Sequence, residues 1–122
     1  MGWQDHCDAP KPGTLLCRID AVPDGACKEL TYGQGDSAFR LLLYRRAERV
    51  CAFVNCCPHF SLPLNARPDE FLLLSDSRIM CAHHSAVFRL EDGRCLDGPA
   101  RGLDLEAVTV SIMDGLIYMG QR

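Results

Sequence analysis

Apolar residues along this chain come in short runs separated by turn chemistry, not in the i, i+3, i+4 spacing of amphipathic helices. Leu15, Cys17 and Ile19 alternate with Leu16 and Arg18 until Val22-Pro23-Asp24-Gly25, whose Pro and Asp-Gly stop the run. Lys28 to Tyr32 reads as a second short strand. Ala38 to Arg46 and Arg49 to Val54 are apolar-rich and joined by Ala47-Glu48, which predicts a hairpin, with a helix over Phe39 to Tyr44 as the competing reading. Further strands are expected at Glu70 to Leu74, Arg78 to Met80, Val87 to Leu90, Leu105 to Ile112 and Leu116 to Met119. Asp92-Gly93 and Asp114-Gly115 supply turns, and the last two runs read as a closing hairpin. Seven to nine strands with little helix predict an all-β sandwich or barrel-like fold. Met1 to Gly13 is polar and broken by Pro10 and Pro12, and is expected to be a loosely attached lead-in.

Composition narrows the function classes. A length of 122 residues, 48% hydrophobic and 24% charged, is that of one ordinary globular domain spanning 1–122. The net charge of -3 and the absence of any basic run longer than Arg45-Arg46 argue against a partner recognised through phosphates, so no nucleic acid is expected. No apolar run approaches the about eighteen residues of a membrane span, and Met1 to His6 lacks the basic start and apolar stretch of a signal peptide. A cytoplasmic protein is expected. Gly2 does not make a myristoylation signal, because His6 stands where Ser or Thr is needed. Eight cysteines without an export signal turn attention from disulfides to metal ligation, catalysis or burial.

Their placement is informative. Three cysteines and three of the four histidines fall in Cys56-Cys57-Pro58-His59 and Cys81-Ala82-His83-His84. Read as C-x-H and C-x-x-H, the pairs are Cys57 with His59 and Cys81 with His84; Cys56 with His59 and Cys81 with His83 also read as metal pairs. Residues two apart in an extended loop point the same way but sit well over about 5 Å apart, which suits two different metal atoms. A mononuclear zinc site usually draws on C-x2-4-C or H-x3-5-H spacings, so that both side chains converge on one ion.

Asn55-Cys56-Cys57-Pro58-His59, Pro63-Leu64, Cys81-x-x-His84, Phe88, Gly93 and Gly98-Pro99-Ala100 follow one another in an order that resembles the Rieske iron-sulfur family. In that family two loops bind a [2Fe-2S] cluster and a Pro-containing third loop covers it. The resemblance runs from Leu16 onward, with the cluster-binding region at about 55–101. It implies one cluster per chain, with Cys57 and Cys81 on one iron and His59 and His84 on the other. Cys56 and His83 become flanking residues. Charge arithmetic gives histidine a purpose: two ferric ions and two sulfides sum to +2, which four thiolates would take to -2 but two thiolates and two neutral imidazoles take to 0. The added electron is repelled less, and the potential rises.

Departures from the family pattern matter as well. The 21 residues between His59 and Cys81 exceed the usual spacing and predict an extra turn within Ala66 to Asp76, and Ser85 stands where Gly generally follows the second histidine. The high-potential members carry an extra cysteine in each loop and cluster-directed hydroxyls, but the matching positions here are Leu62, His83, Ala86 and Phe88. The resemblance therefore implies the low-potential ferredoxin branch.

Cys7, Cys17, Cys27, Cys51 and Cys95 are scattered and read as structural. Gly33-Gln34-Gly35-Asp36-Ser37-Ala38 fits G-x-G-x-x-A formally, yet a strand follows it, so it reads as a glycine turn and not a nucleotide site. The expected function is a one-electron carrier between a reductase and a terminal oxygenase or similar acceptor. An oxygenase component itself would need a second domain with a 2-His-1-carboxylate iron, for which only His6 and His83 remain. Two alternatives stay open: a small redox subunit resembling that of assimilatory nitrite reductase, and a zinc-stabilised interaction module on the same four side chains.

Overall fold

A computed structural model describes residues 7–35, 38–56, 64–65, 71–74, 77–82, 86–97 and 104–120. Among these the secondary structure is eleven strands and one 3-10 turn, Ile19–Ala21. The strands are β1 (Leu15–Arg18), β2 (Cys27–Tyr32), β3 (Phe39–Arg46), β4 (Arg49–Val54), β5 (Leu72–Leu74), β6 (Arg78–Met80), β7 (Val87–Arg89), β8 (Cys95–Asp97), β9 (Ala107–Val108), β10 (Val110–Met113) and β11 (Leu116–Met119). They form three antiparallel sheets in the orders β1-β11-β10, β2-β3-β4-β9 and β5-β6-β7-β8.

The β2-β3-β4-β9 sheet is covered on both faces, which explains the apolar run of β3. Phe39, Leu41 and Leu43 pack with Val22, Ala52, Val108, Ile117 and Met119 on the side of the three-stranded sheet. Leu42 and Tyr44 point the other way, into a second cluster with Phe53, Leu64, Ile79, Phe88 and Leu90. A strand buried on both faces loses the apolar/polar alternation that marks a half-buried one, so its sequence also tolerated the helical reading, and the strand is what forms.

Eight paired residues form the last hairpin, β10 against β11, with Met113 opposite Leu116 and both Asp114 (φ 53°) and Gly115 (φ 75°) left-handed, as a two-residue primed turn requires. The β3-β4 hairpin turns at Ala47 (φ 55°), whose N–H is held by Asp24 Oδ1 at 2.7 Å. Leu105 to Ile112 proves to be two strands: β9 pairs with β4 and β10 with β11, and the break at Thr109 lets the chain change sheets. Together with β8, a three-residue strand that the turn signals around it concealed, this brings the count among the described residues to eleven, against the seven to nine expected.

Of the expected lead-in, residues 1–6 lie outside the described residues, and 7–13 differ from expectation. Ala9 packs against the core, Gly13 N–H donates to Met119 O at 2.7 Å, and Met119 N–H returns to Thr14 O at 2.8 Å, so residues 7–13 are fastened to β11. Gly33 (φ 93°) and Gly35 (φ 72°) lie in the turn between β2 and β3, with no βαβ unit among the described residues. No helix of the described residues is long and apolar enough to cross a membrane.

The small β5-β6-β7-β8 sheet carries the second Cys/His segment, between β6 and β7; the first follows β4 of the central β2-β3-β4-β9 sheet. Tyr44 OH and Ser77 Oγ lie 2.7 Å apart, and Leu90 N–H donates to Ser77 O at 2.8 Å, so the β5-β6 turn is bound both to the central sheet and to the end of β7. Phe88 and Ile79, opposite each other in β7 and β6, are fully buried against it. The extra turn expected within Ala66 to Asp76 falls mostly outside the described residues; β5 occupies 72–74 of that segment.

Candidate metal centre

β6 ends at Met80 and the next residue is Cys81, 2% exposed. Its N–H donates to Ala86 O at 2.7 Å, closing the loop between β6 and β7. A thiol just past a strand end is held by the scaffold while its backbone is free to turn. Of the four residues expected to ligate, Cys81 lies among the described residues; Cys57, His59 and His84 lie outside them, as do His83, Ser85, Leu62 and Gly98-Pro99-Ala100. Cys56, the alternative partner of His59, is half-buried and lies two residues past the end of β4, its N–H turned back to Val54 O at 2.9 Å.

Two further hydrogen bonds bring the loops together at one residue. Leu64, 1% exposed, donates its N–H to Asn55 Oδ1 at 2.9 Å and accepts the Ala82 N–H on its carbonyl at 2.8 Å. The first bond joins the two ends of the segment that contains Cys57 and His59. The second joins that segment to the neighbour of Cys81. Both candidate ligand loops are thus referred to a single buried backbone unit.

Under Leu64 lies a polar network that sequence patterning did not reveal. Asn55, 2% exposed, spends both amide hydrogens, on Glu29 Oε2 at 2.7 Å and on Asn65 Oδ1 at 2.8 Å. Asn65 Nδ2 donates to Glu29 Oε1 at 3.3 Å, and Arg40 Nη1 to Glu29 Oε2 at 3.3 Å. The Glu29 side chain is only 5% exposed, so its charge is held by these donors and not by water. Asn55 N–H also donates to Arg40 O at 2.8 Å, which anchors the loop's start to β3. The sequence cues were Asn55 at the head of the first cluster and Glu29 on the face of β2 that also carries Cys27.

The remaining cysteines differ in kind. Cys27 and Cys95 are buried inside strands, Cys17 and Cys51 are half-buried and Cys7 is exposed. Burial pushes the Cys27 thiol up to about 12, and raises Cys17 and Cys51 against the opposing pull of Lys28 and Arg49 respectively. Such thiols are poor nucleophiles, as expected of structural residues.

An all-β scaffold that presents a buried cysteine at a strand end, with two loops tied to one backbone unit, is the framework of a cluster-binding domain. Residues 14–109 match the model of the Rieske [2Fe-2S] domain, and the chain belongs to that family. The family's domain holds one [2Fe-2S] cluster, and a buried thiol beside loops rich in cysteine and histidine is a donor set that fits it. No curated protein matches the chain.

Among solved structures it is similar to the ferredoxin of carbazole 1,9a-dioxygenase from Nocardioides aromaticivorans IC177, at 20% identity over 89% of this chain and 99% of that one, with a TM-score of 0.70. A ferredoxin of Sphingomonas yanoikuyae B1 shares 22% identity over 90% and 99% of the two chains, with a TM-score of 0.66. A chain in a complex of reduced oxygenase and oxidised ferredoxin of carbazole 1,9a-dioxygenase shares 18% identity over 91% and 94%, with a TM-score of 0.72. These likenesses establish the fold: the expected all-β, Rieske-like architecture is the one observed.

Proposed function

We propose that this chain is a soluble, cytoplasmic one-electron carrier, accepting an electron from a reductase and passing it to a terminal oxygenase or similar acceptor. Cys57 and Cys81 are its ligands to one iron and His59 and His84 its ligands to the other, within one domain spanning 1–122. When bound, the cluster supplies reversible one-electron chemistry at a site with no net charge in its oxidised form. The observation that carries this reading is the junction at Leu64, which couples the segment holding Cys57 and His59 to the residue following Cys81. The names of the similar structures, a ferredoxin of a dioxygenase and a complex of oxygenase with ferredoxin, support an oxygenase as the acceptor.

The test is metal analysis and electron paramagnetic resonance of anaerobically purified protein, with ligand variants. Two irons and two acid-labile sulfides per chain are expected, with loss of the cluster in Cys57→Ala and Cys81→Ala and retention at a lower potential in His59→Cys or His84→Cys. Stoichiometric zinc without visible absorption would refute the cofactor. Loss of the cluster in Cys56→Ala together with its retention in Cys57→Ala would refute the register.

A further inference from the structure

We propose that Glu29, 26 residues before Asn55, is a positioning residue of the cluster centre: an acceptor-only carboxylate that fixes the amide closing the first ligand loop. This rests on the ligand reading given above. An asparagine amide can sit either way round, and its two ends have opposite hydrogen-bonding character. At Asn55 only one orientation works: Nδ2 towards Glu29 and Asn65, and Oδ1 towards the Leu64 N–H. Reversed, the amide would set a donor against the Leu64 N–H and an oxygen against the carboxylate. Glu29 has no hydrogen to offer in its ionised form, so it selects the orientation that holds Leu64.

The carboxylate is needed as such, and not simply as a polar group. Asn55 Nδ2 is directed at Oε2 and Asn65 Nδ2 at Oε1, so each oxygen receives a donor from a different asparagine. A glutamine offers one oxygen and one NH2, and whichever way it turns, one asparagine faces a donor. Stability alone does not favour the arrangement, because a buried ion pair is commonly no better than apolar packing of the same volume. Its value lies in geometry: Leu64 holds the start of one ligand loop through its N–H and the flank of Cys81 through its carbonyl.

The experiment compares the full-length, cluster-loaded wild type with Glu29→Gln, Glu29→Asp and Ile117→Val, the last a mild change in the opposite, fully buried core. The readouts are the half-life of the visible chromophore under a fixed concentration of chelator, the g values of the reduced protein, and the thermal midpoint. Expected are a half-life at least tenfold shorter and shifted g values in Glu29→Gln, a smaller loss in Glu29→Asp, which keeps two acceptors, and unshifted g values in Ile117→Val with a half-life within twofold. Should Glu29→Gln not accumulate, Glu29→Asp decides by its g values: shifted supports positioning, unshifted overturns it. A Glu29→Gln half-life within twofold of wild type with unchanged g values overturns the proposal, as does a loss in all three variants in proportion to their thermal midpoints. A wild-type chain that loads no [2Fe-2S] cluster overturns the ligand reading instead.

Discussion

Replacing Gly93 by alanine probes how the small sheet is seated on the central one. Gly93 sits in the turn between β7 and β8 with φ 80°, a conformation that costs an L-residue about 1 kcal/mol. The added Cβ would lie 2.8 Å from Phe53 Cε1, 3.1 Å from the Leu105 carbonyl oxygen and 3.2 Å from Leu105 Cβ. Neither neighbour yields easily, since Phe53 and Leu105 are 2% and 4% exposed. Nor can Gly93 retreat: its N–H donates to Arg89 O at 2.7 Å and its carbonyl accepts the Leu105 N–H at 2.8 Å. Overpacking of this kind adds about 1–3 kcal/mol, for a total of about 2–4 kcal/mol. Gly25→Ala is the control, with nearly the same φ of 79° but nothing within 4 Å of its Cβ. It isolates the backbone term. The two variants should therefore differ by the packing term, roughly 4–12 °C in thermal midpoint for a chain of this size. Circular dichroism melts of the two apo-proteins measure it. Midpoints within about 2 °C of each other would refute the claim that Gly93 is where the two sheets meet.

Two further outcomes follow from the same structure. Because the Cys27 thiol keeps its proton to about pH 12 when folded and loses it near 9 when unfolded, its stabilisation is complete below pH 9 and falls by about 1.4 kcal/mol per pH unit as the pH rises from there towards 12. Urea titrations at pH 8, 9.5 and 11 should show a shallower alkaline loss in Cys27→Ala than in wild type, and equal slopes would contradict the burial argument. The midpoint potential should lie at roughly -150 to 0 mV, since Ala86 and Phe88, both fully buried beside the second ligand loop, offer no hydroxyl to stabilise the reduced cluster. Protein-film voltammetry giving a value above about +200 mV would contradict the low-potential assignment.

The features legible in the sequence share one property: their cause lies within a few residues. Asp114-Gly115 announces the final hairpin because two adjacent left-handed positions are a local demand. The two Cys/His clusters are proposed as ligands on spacings that are local too. Thr109 is different. Nothing in Leu105 to Ile112 marks the point where β9 leaves the central sheet and β10 joins the other, because that break is imposed by partners as far away as β4 and β11. The fastening of residues 7–13 was hidden for the same reason: a polar segment with two prolines looks detached until β11 offers it backbone partners at Met119.

Burial alone does not single out Cys81, the proposed ligand, from the other buried cysteines. Cys81 shares its apolar cluster with Cys27 and Cys95, and all three are buried. Backbone context separates them. Cys27 stands opposite Tyr44 and Cys95 opposite Phe88 within antiparallel ladders, where pairing fixes the side-chain direction towards the core. Cys81 lies one residue beyond β6, its N–H turned onto Ala86 O and its neighbour Ala82 held by Leu64. A thiol that must meet a metal shared with a second loop needs that loop's position defined relative to its own. The ladder cannot supply this, because the loops between Asn55 and Leu64 and between Cys81 and Ala86 are joined by no strand pairing among the described residues. Asn55 and the buried Glu29 supply it through side-chain hydrogen bonds that hold Leu64, whose carbonyl takes the Ala82 N–H, and so an otherwise unfavourable buried carboxylate sits at the base of the proposed site.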